Sequence, residues 1–344
     1  MKTTMLVTLM LMSVPALAQQ TDKLYVANEY SDTVTVLNAQ TGEVLKTIDL
    51  NSDKQNEHLS HHAQSTGDGE DHKDATVIPH NLQVSADGKW VYVTEAGLNV
   101  VARINTQSDT LQGTFDVGDH PAHVVDTRDG KTLLVTNGGA GTLSVLDSKT
   151  GKTLKTLKVG QQPHGLRVRP DGQEAYIANT LSSSVSVLDL KTLKVVAEIP
   201  VVSKPAQVAF SPDGKTVFVS NAHLGEKVTG HVTVIDTQTR KVLKNIEVGT
   251  TPIQLAVTPD NRFLYVANTG SNDISVVDLK ALRTTKTLPA GKAAHGVAIS
   301  PDGRWGYVTN TDDGTVTVLD LTTQTVKNTW KAQYGSNGVS LLDR

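Results

Sequence analysis

The chain has 344 residues, of which 38% are hydrophobic and none is cysteine, and its formal net charge is −3. These values are ordinary for a soluble globular protein, and the lack of cysteine excludes disulfides, thiolate metal sites and thiol nucleophiles. The small negative charge gives no electrostatic basis for binding nucleic acid or an anionic membrane surface, so we expect neither partner.

The first 18 residues have the pattern of a secretory signal peptide. Lys2 precedes an apolar run at 5–14, and Ala-Leu-Ala at 16–18 is typical of a cleavage site. The alternative is an N-terminal membrane anchor, but the run is shorter than the about 20 residues that a spanning helix needs. The sequence therefore predicts an exported protein, periplasmic or secreted, whose mature chain begins at residue 19 and has no membrane span.

The mature chain repeats a unit of four short segments, which is clearest over 163–204. There, GLRVR, EAYIAN, SVSVLDL and VVAEIPV alternate apolar and polar residues, as half-buried strands do. The residue that opens the first strand recurs every 42 residues, with one interval of 47, at Pro79, Pro121, Pro163, Pro205, Pro252, Ala294 and Ser336. Four strands in about 40 residues are typical of one blade of a β-propeller. Seven openings predict seven blades.

The end of the second strand gives the same count, at Asn28, Glu95, Asn137, Asn179, Asn221, Asn268 and Asn310. The first unit begins directly at its second strand over 23–28, whereas the tail at 337–342 has the pattern of a first strand. We expect the two termini to complete one blade together, because this closure removes exposed sheet edges. The sequence thus predicts an all-β protein: one seven-bladed propeller of antiparallel strands over 19–344.

Several strings carry a resemblance to a known family. Second strands end in YVAN (25–28 and 265–268), YVTE (92–95) and YVTN (307–310), and inner strands open with PHG (163–165) and AHG (294–296). With the PDG turns, these strings resemble the YVTN family of β-propeller repeat proteins over essentially the whole mature chain. The resemblance implies a propeller fold and relatives that include lactonase-like propellers and the haem d1 propellers of nitrite reduction. Because one fold serves many functions, departures from the repeat are the better guide to function.

The largest departure is a polar insertion at about 54–78. It holds four of the eleven histidines and a fifth follows it: His58, His61, His62, His72 and His80. Imidazoles beside carboxylates are typical ligands of zinc or copper in a protein without cysteine, and histidine-rich tracts are associated with metal binding. The alternative is a solvated acidic loop, since residues 53–77 carry six acids and two bases. We expect a mobile loop.

A second departure predicts histidines around one mouth of the central channel. His80, His164 and His295 share one position of the repeat, and His123 sits one residue later in its own unit. Glu95 is the one acid among the asparagines that end the second strands, and a buried acid there needs a cation, a histidinium or water. We expect a metal site drawn from these five residues, which receives its ion from the insertion. The alternative is that the histidines line the channel and bond to backbone carbonyls.

A smaller departure adds five residues within 221–232 and brings in His223 and His231, for which a longer surface hairpin is the simpler explanation. The sequence has no phosphate-binding glycine loop, no Gly-x-Ser-x-Gly elbow and no haem-attachment motif. We therefore expect a monomeric, non-catalytic binding protein with a metal ion or small ligand at the channel mouth. Three alternatives stay open: a lactonase-like or other hydrolytic enzyme, a scaffold for another envelope protein, and a propeller that binds a tetrapyrrole.

Overall fold

The computed structural model describes residues 22–51, 77–225 and 228–342. Within these ranges the chain forms 28 strands in seven four-stranded antiparallel sheets and no helix. The described residues accordingly include no helix of the length and hydropathy needed to cross a membrane. The seven-bladed, all-β prediction is confirmed.

The first blade combines both ends of the chain: β28 (Ser336–Leu342), β1 (Lys23–Asn28), β2 (Thr33–Asn38) and β3 (Val44–Asp49). The second consists of β4 (Pro79–Val84), β5 (Trp90–Glu95), β6 (Val100–Asn105) and β7 (Thr110–Asp116). The third consists of β8 (Pro121–Asp126), β9 (Thr132–Asn137), β10 (Thr142–Asp147) and β11 (Thr153–Lys158). The fourth consists of β12 (Pro163–Val168), β13 (Glu174–Asn179), β14 (Ser184–Asp189) and β15 (Lys194–Pro200).

The fifth blade consists of β16 (Pro205–Phe210), β17 (Thr216–Asn221), β18 (Thr229–Asp236) and β19 (Val242–Thr250). The sixth consists of β20 (Pro252–Val257), β21 (Phe263–Asn268), β22 (Asp273–Asp278) and β23 (Arg283–Pro289). The seventh consists of β24 (Ala294–Ile299), β25 (Trp305–Asn310), β26 (Thr315–Asp320) and β27 (Thr325–Lys331).

The core lies between the blades. Second and third strands such as β9 and β10 are buried on both faces, because neighbouring blades cover both sides of each sheet. Outer strands such as β11 are largely exposed, which explains their lysines and threonines. Each Val, Leu or Tyr side chain buried between blades contributes on the order of 1.5–3 kcal/mol.

A sharp turn and a bulge direct each inner strand into the channel. The residue before each inner strand has a positive φ: Ile78, His120, Gln162, Lys204, Thr251, Ala293 and Gly335. In blade four the ladder pairs Pro163 with Asn179, skips two residues and resumes at Leu166 with Ile177. A β-bulge of this kind re-aims the side chains of the skipped residues, which here include His164.

The ring closes as the sequence predicts. β28 pairs antiparallel with β1 in a register that runs from Lys23 opposite Leu342 to Asn28 opposite Ser336. The side chain of Asn337 also donates a hydrogen bond to Glu29, so the last strand contributes to the channel mouth as well as to the sheet.

Candidate functional site

Three of the predicted histidines meet at the channel mouth: His80 on β4, His123 on β8 and His164 on β12. One ring nitrogen of each lies within 4.8 Å of the other two, and among the described residues they form the one such group of potential metal ligands. The ring centroids of His123 and His164 are 4.8 Å apart, and those of His80 and His164 are 5.1 Å apart. Inner strands of separate blades therefore bring their imidazoles to one point.

His80 and His164 face each other through their Nε2 atoms, which are 3.0 Å apart. The Nδ1 of His164 lies 2.9 Å from the carbonyl oxygen of Ala206. A carbonyl only accepts, so this Nδ1 carries the proton and a neutral His164 presents the lone pair of Nε2 to His80.

Glu29 lies next to Nδ1 of His80, the outer ring nitrogen, which does not face His164. Its Oε2 is 3.7 Å from His80 Nδ1 and accepts a hydrogen bond from the side-chain amide of Asn337. Burial acts to raise the pKa of Glu29, but the interaction with His80 at 3.7 Å and the hydrogen bond from Asn337 outweigh it and hold this pKa at about 2. An ionised carboxylate at this place favours a proton on Nδ1 of His80, so Nε2 can bind a metal ion once it gives up the proton that it donates to His164.

The histidines deepest in the mouth are neutral at pH 7. Burial first, and the charge of His80 second, lower the pKa of His164 to about 4 and that of His295 to about 3. The pKa of His123 falls well below its usual value for the same first reason, with neighbouring His164 adding to it. Neutral imidazole is the form that binds metal ions.

His123 differs from the other two in its hydrogen bonding. The side-chain oxygen of Gln207 accepts the backbone N–H of Val208 at 2.9 Å, so its amide nitrogen is the atom that faces His123 Nδ1 at 3.2 Å. His123 Nδ1 therefore accepts, and the proton of the neutral ring resides on Nε2. This Nε2 is buried and has no hydrogen-bond partner among the described residues.

The structure places His295 beside this group without joining it. Its ring centroid is 6.4 Å from that of His80. Its Nδ1 is buried and lacks a hydrogen-bond partner within the described part of the chain.

The structure does not bring Glu95 to the histidines. Glu95 is fully buried at the end of β5. At the equivalent position Asn137 donates hydrogen bonds to Thr142 and Ser144 on the third strand of its own blade, so this position faces into the blade. In the blade of Glu95, the residues at the positions of Thr142 and Ser144 are Val100 and Ala102, which have no hydroxyl group. The carboxylate that lies against the mouth histidines is Glu29 instead.

Two other groups of predicted histidines stand apart from this geometry. His58, His61, His62 and His72, like nearly all of the predicted insertion, lie outside the described residues. His223 and His231 form a separate pair on blade five, with His223 Nε2 3.3 Å from His231 Nδ1.

The sequence does carry a signal for Glu29, at the position that follows the asparagines at the ends of the second strands. At this position Thr180, Thr269 and Thr311 each donate a hydrogen bond to the backbone carbonyl of the next inner strand's first residue. A carboxylate cannot donate in this way, so an acid in the series marks a departure from the scaffold role.

Comparisons with known proteins agree with the fold. The chain matches the family model described as YNCE-like beta-propeller over residues 71–257, and the model described as Cytochrome D1 heme domain over residues 222–336. Hydrazine synthase of Kuenenia stuttgartiensis has a similar solved structure, with a TM-score of 0.72 and 21% identity over 79% of this chain and 91% of that chain. No curated protein matches the chain. At this identity the likeness to hydrazine synthase concerns the fold alone.

Proposed function

The chain belongs to the YNCE-like β-propeller family, and from that premise we propose that it binds a divalent transition metal ion, zinc or copper, at the mouth of its channel. His80 and His164 are the ligands, and Glu29 positions His80 through its outer nitrogen. The protein acts as an exported, monomeric binding protein, as the signal-peptide pattern and the absence of catalytic motifs suggest.

The observation that carries this proposal is the 3.0 Å distance between the Nε2 atoms of His80 and His164. Two nitrogens bound at 2.0–2.1 Å to one ion are about 3.3 Å apart in tetrahedral geometry and about 2.9 Å apart at a right angle. The pair thus has the separation of two ligands of a single ion. With a proton on Nδ1 of each ring, the space between the two Nε2 atoms holds one cation, which is the hydrogen-bonded proton in the metal-free protein and the metal ion that replaces it on binding.

The surroundings of the pair fit a transition metal. Backbone Ala206 and the carboxylate of Glu29 hold the outer nitrogens, which is the usual support of metal-binding histidines. Imidazole ligands suit zinc and copper, and copper(II) binds nitrogen ligands more tightly than zinc does. The histidines of the insertion, His58, His61, His62 and His72, would capture the ion and pass it to the mouth.

Calorimetric titration of the mature protein with zinc and with copper(II) tests this function. We expect a site of micromolar affinity or tighter that weakens at least a hundredfold in His164→Gln. The matched control is His120→Gln, since His120 is exposed and lies outside the ligand pair. Affinity for both metals that is the same in His164→Gln as in the wild type would contradict the proposal. Deletion of 54–76 in a further variant separates binding by the insertion from binding by the mouth.

Tetrapyrrole binding is a second candidate, favoured by the Cytochrome D1 heme domain match over 222–336, a range that includes His295. The mouth does not fit a macrocycle between the histidines, because their rings are in mutual contact at centroid distances of 4.8 to 6.4 Å. A tetrapyrrole would have to lie over the mouth, against His80. Titration with haem decides this: a stoichiometric Soret band that is lost in His80→Gln would support it, and its absence favours the metal ion.

A further inference from the structure

Arg167 is a cation with no counter-ion among the residues that the structure describes. It lies on the inner strand β12, and the one side-chain hydrogen bond that it makes to the described residues runs from Nη1 to the backbone carbonyl of Leu166 at 2.9 Å. Within the part of the chain that the structure describes, no carboxylate lies within ion-pair distance of its guanidinium. Burial alone lowers its pKa to about 10, so it stays charged at neutral pH.

The repeat shows that this arginine is not needed by the fold. The same inner-strand position holds Ala209, Ala256 and Ala298 in the next three blades. Arg167 is thus the one charged residue at its position in the described inner strands, where three neighbouring blades carry a methyl group. Arg167 is half-buried, so its charge loses part of its hydration and has no counter-ion among the described residues to replace it; a bound anion would supply that compensation.

A second hydrogen-bond donor lies close to it in the channel. His123 Nε2 carries a proton, is buried and has no partner among the described residues. Its strand β8 neighbours β12 around the ring, and Arg167 lies two positions deeper, about 7 Å of extended chain, which an arginine side chain spans. The strands β8 and β12 are in contact, and the charge of Arg167 is among the smaller causes that lower the pKa of His123, as expected for groups on neighbouring inner strands. The buried amide nitrogen of Gln254, at the same repeat position as His123, is a further donor without a partner in the described chain.

We propose that the channel beneath the histidine pair binds a small oxyanion, held by the guanidinium of Arg167 and the Nε2–H of His123. The planar guanidinium matches the two oxygens of a carboxylate, nitrate or phosphate group. The buried atoms without a partner at His123 and Gln254 are N–H donors, and Arg167 adds a positive charge, which selects an anion over a cation. Binding needs no metal, although an ion on His80 and His164 would strengthen it by adding positive charge above the anion.

Calorimetry on chelator-treated, metal-free protein in chloride-free buffer tests this site, with formate as the small probe and inorganic phosphate as the large one. We expect saturable binding of at least one probe at one site per chain. Arg167→Ala, which installs the residue of the next three blades, should weaken it at least tenfold. Arg167→Lys keeps the charge without the planar fork and should give an intermediate affinity. Arg262→Gln is the matched control, since Arg262 is exposed and stacks on Phe263.

Three outcomes would overturn the assignment. They are no saturable binding of either probe, wild-type affinity in Arg167→Ala, and binding that occurs only after zinc is added. The last would mean that the metal alone holds the anion. Because the experiment is metal-free, its failure and the failure of the metal proposal are distinguishable.

Discussion

The asparagines that end the second strands and the histidines at the channel mouth differ in where their side chains form contacts. Asn179 donates to Ser184 and Ser186 of its own blade and accepts the backbone N–H of Gly160. His80 and His164, by contrast, contact each other across the channel from separate blades. A repeat position whose side chains bond within the blade is scaffold, whereas one whose side chains meet across the channel is free to form a site.

The strongest test of the scaffold is removal of residues 337–344, which deletes most of β28. This strand pairs with β1 and buries Val339 and Leu342, worth together about 3–6 kcal/mol. We expect the melting temperature to fall by about 4–9 °C. Removal of 343–344 alone is the control and should change little. A full-length melting temperature in the longer truncation would contradict closure of the ring by β28.

The variant Asn179→Leu should lower the stability of the fold without changing the affinity for metal. It removes two donated hydrogen bonds and leaves the N–H of Gly160 without its acceptor, which should cost about 2–4 kcal/mol of unfolding free energy. Urea unfolding measures this loss. Metal affinity of the folded variant should match the wild type, and a concurrent loss of metal binding would show that the asparagines and the mouth are one functional unit.

The variant Glu29→Gln should do the reverse and weaken metal binding without changing the stability of the fold. Loss of the carboxylate beside His80 Nδ1 should weaken zinc binding about tenfold, as loss of an outer-shell partner typically does. The unfolding free energy of the metal-free protein should change little. Glu43→Gln is the control, because Glu43 is exposed on the outer part of blade one. Equal zinc affinity in both variants would remove Glu29 from the site.

The smallest effect is on the pH dependence of the metal-free protein. The pKa of His164 is about 4 when folded, against 6.5 when exposed, so the unfolded chain binds more protons between these values. Stability should therefore fall as the pH drops from about 6.5 to 4. Thermal melts in chelator should show a shallower fall in His164→Gln than in His120→Gln. Parallel curves would mean that His164 titrates normally.

The fold could be predicted from the sequence because the strands recur at a nearly constant interval along the chain. The seven predicted openings are the first residues of the seven inner strands, from Pro79 in β4 to Ser336 in β28. The complementary patterns at the two termini likewise predicted the pairing of β28 with β1.

The site was only partly predictable, because position in a repeat does not give the direction of a side chain. His80, His123 and His164 come together as expected, whereas Glu95 at the end of β5 is directed into its blade. Glu29 was missed since its partner Asn337 is 308 residues away in sequence and approaches it only when the ring closes. The donor role of His123 depends on the orientation of Gln207, two blades away, which no local pattern reveals.

X-ray absorption at the zinc or copper edge, with one equivalent of metal on the full chain, tests the central claim most directly. We predict nitrogen ligands at about 2.0–2.1 Å with the outer-shell scattering of two imidazoles. This outer-shell signal should diminish in the double variant His80→Gln, His164→Gln. A spectrum that is the same in the wild type and the double variant would contradict a metal site at the channel mouth.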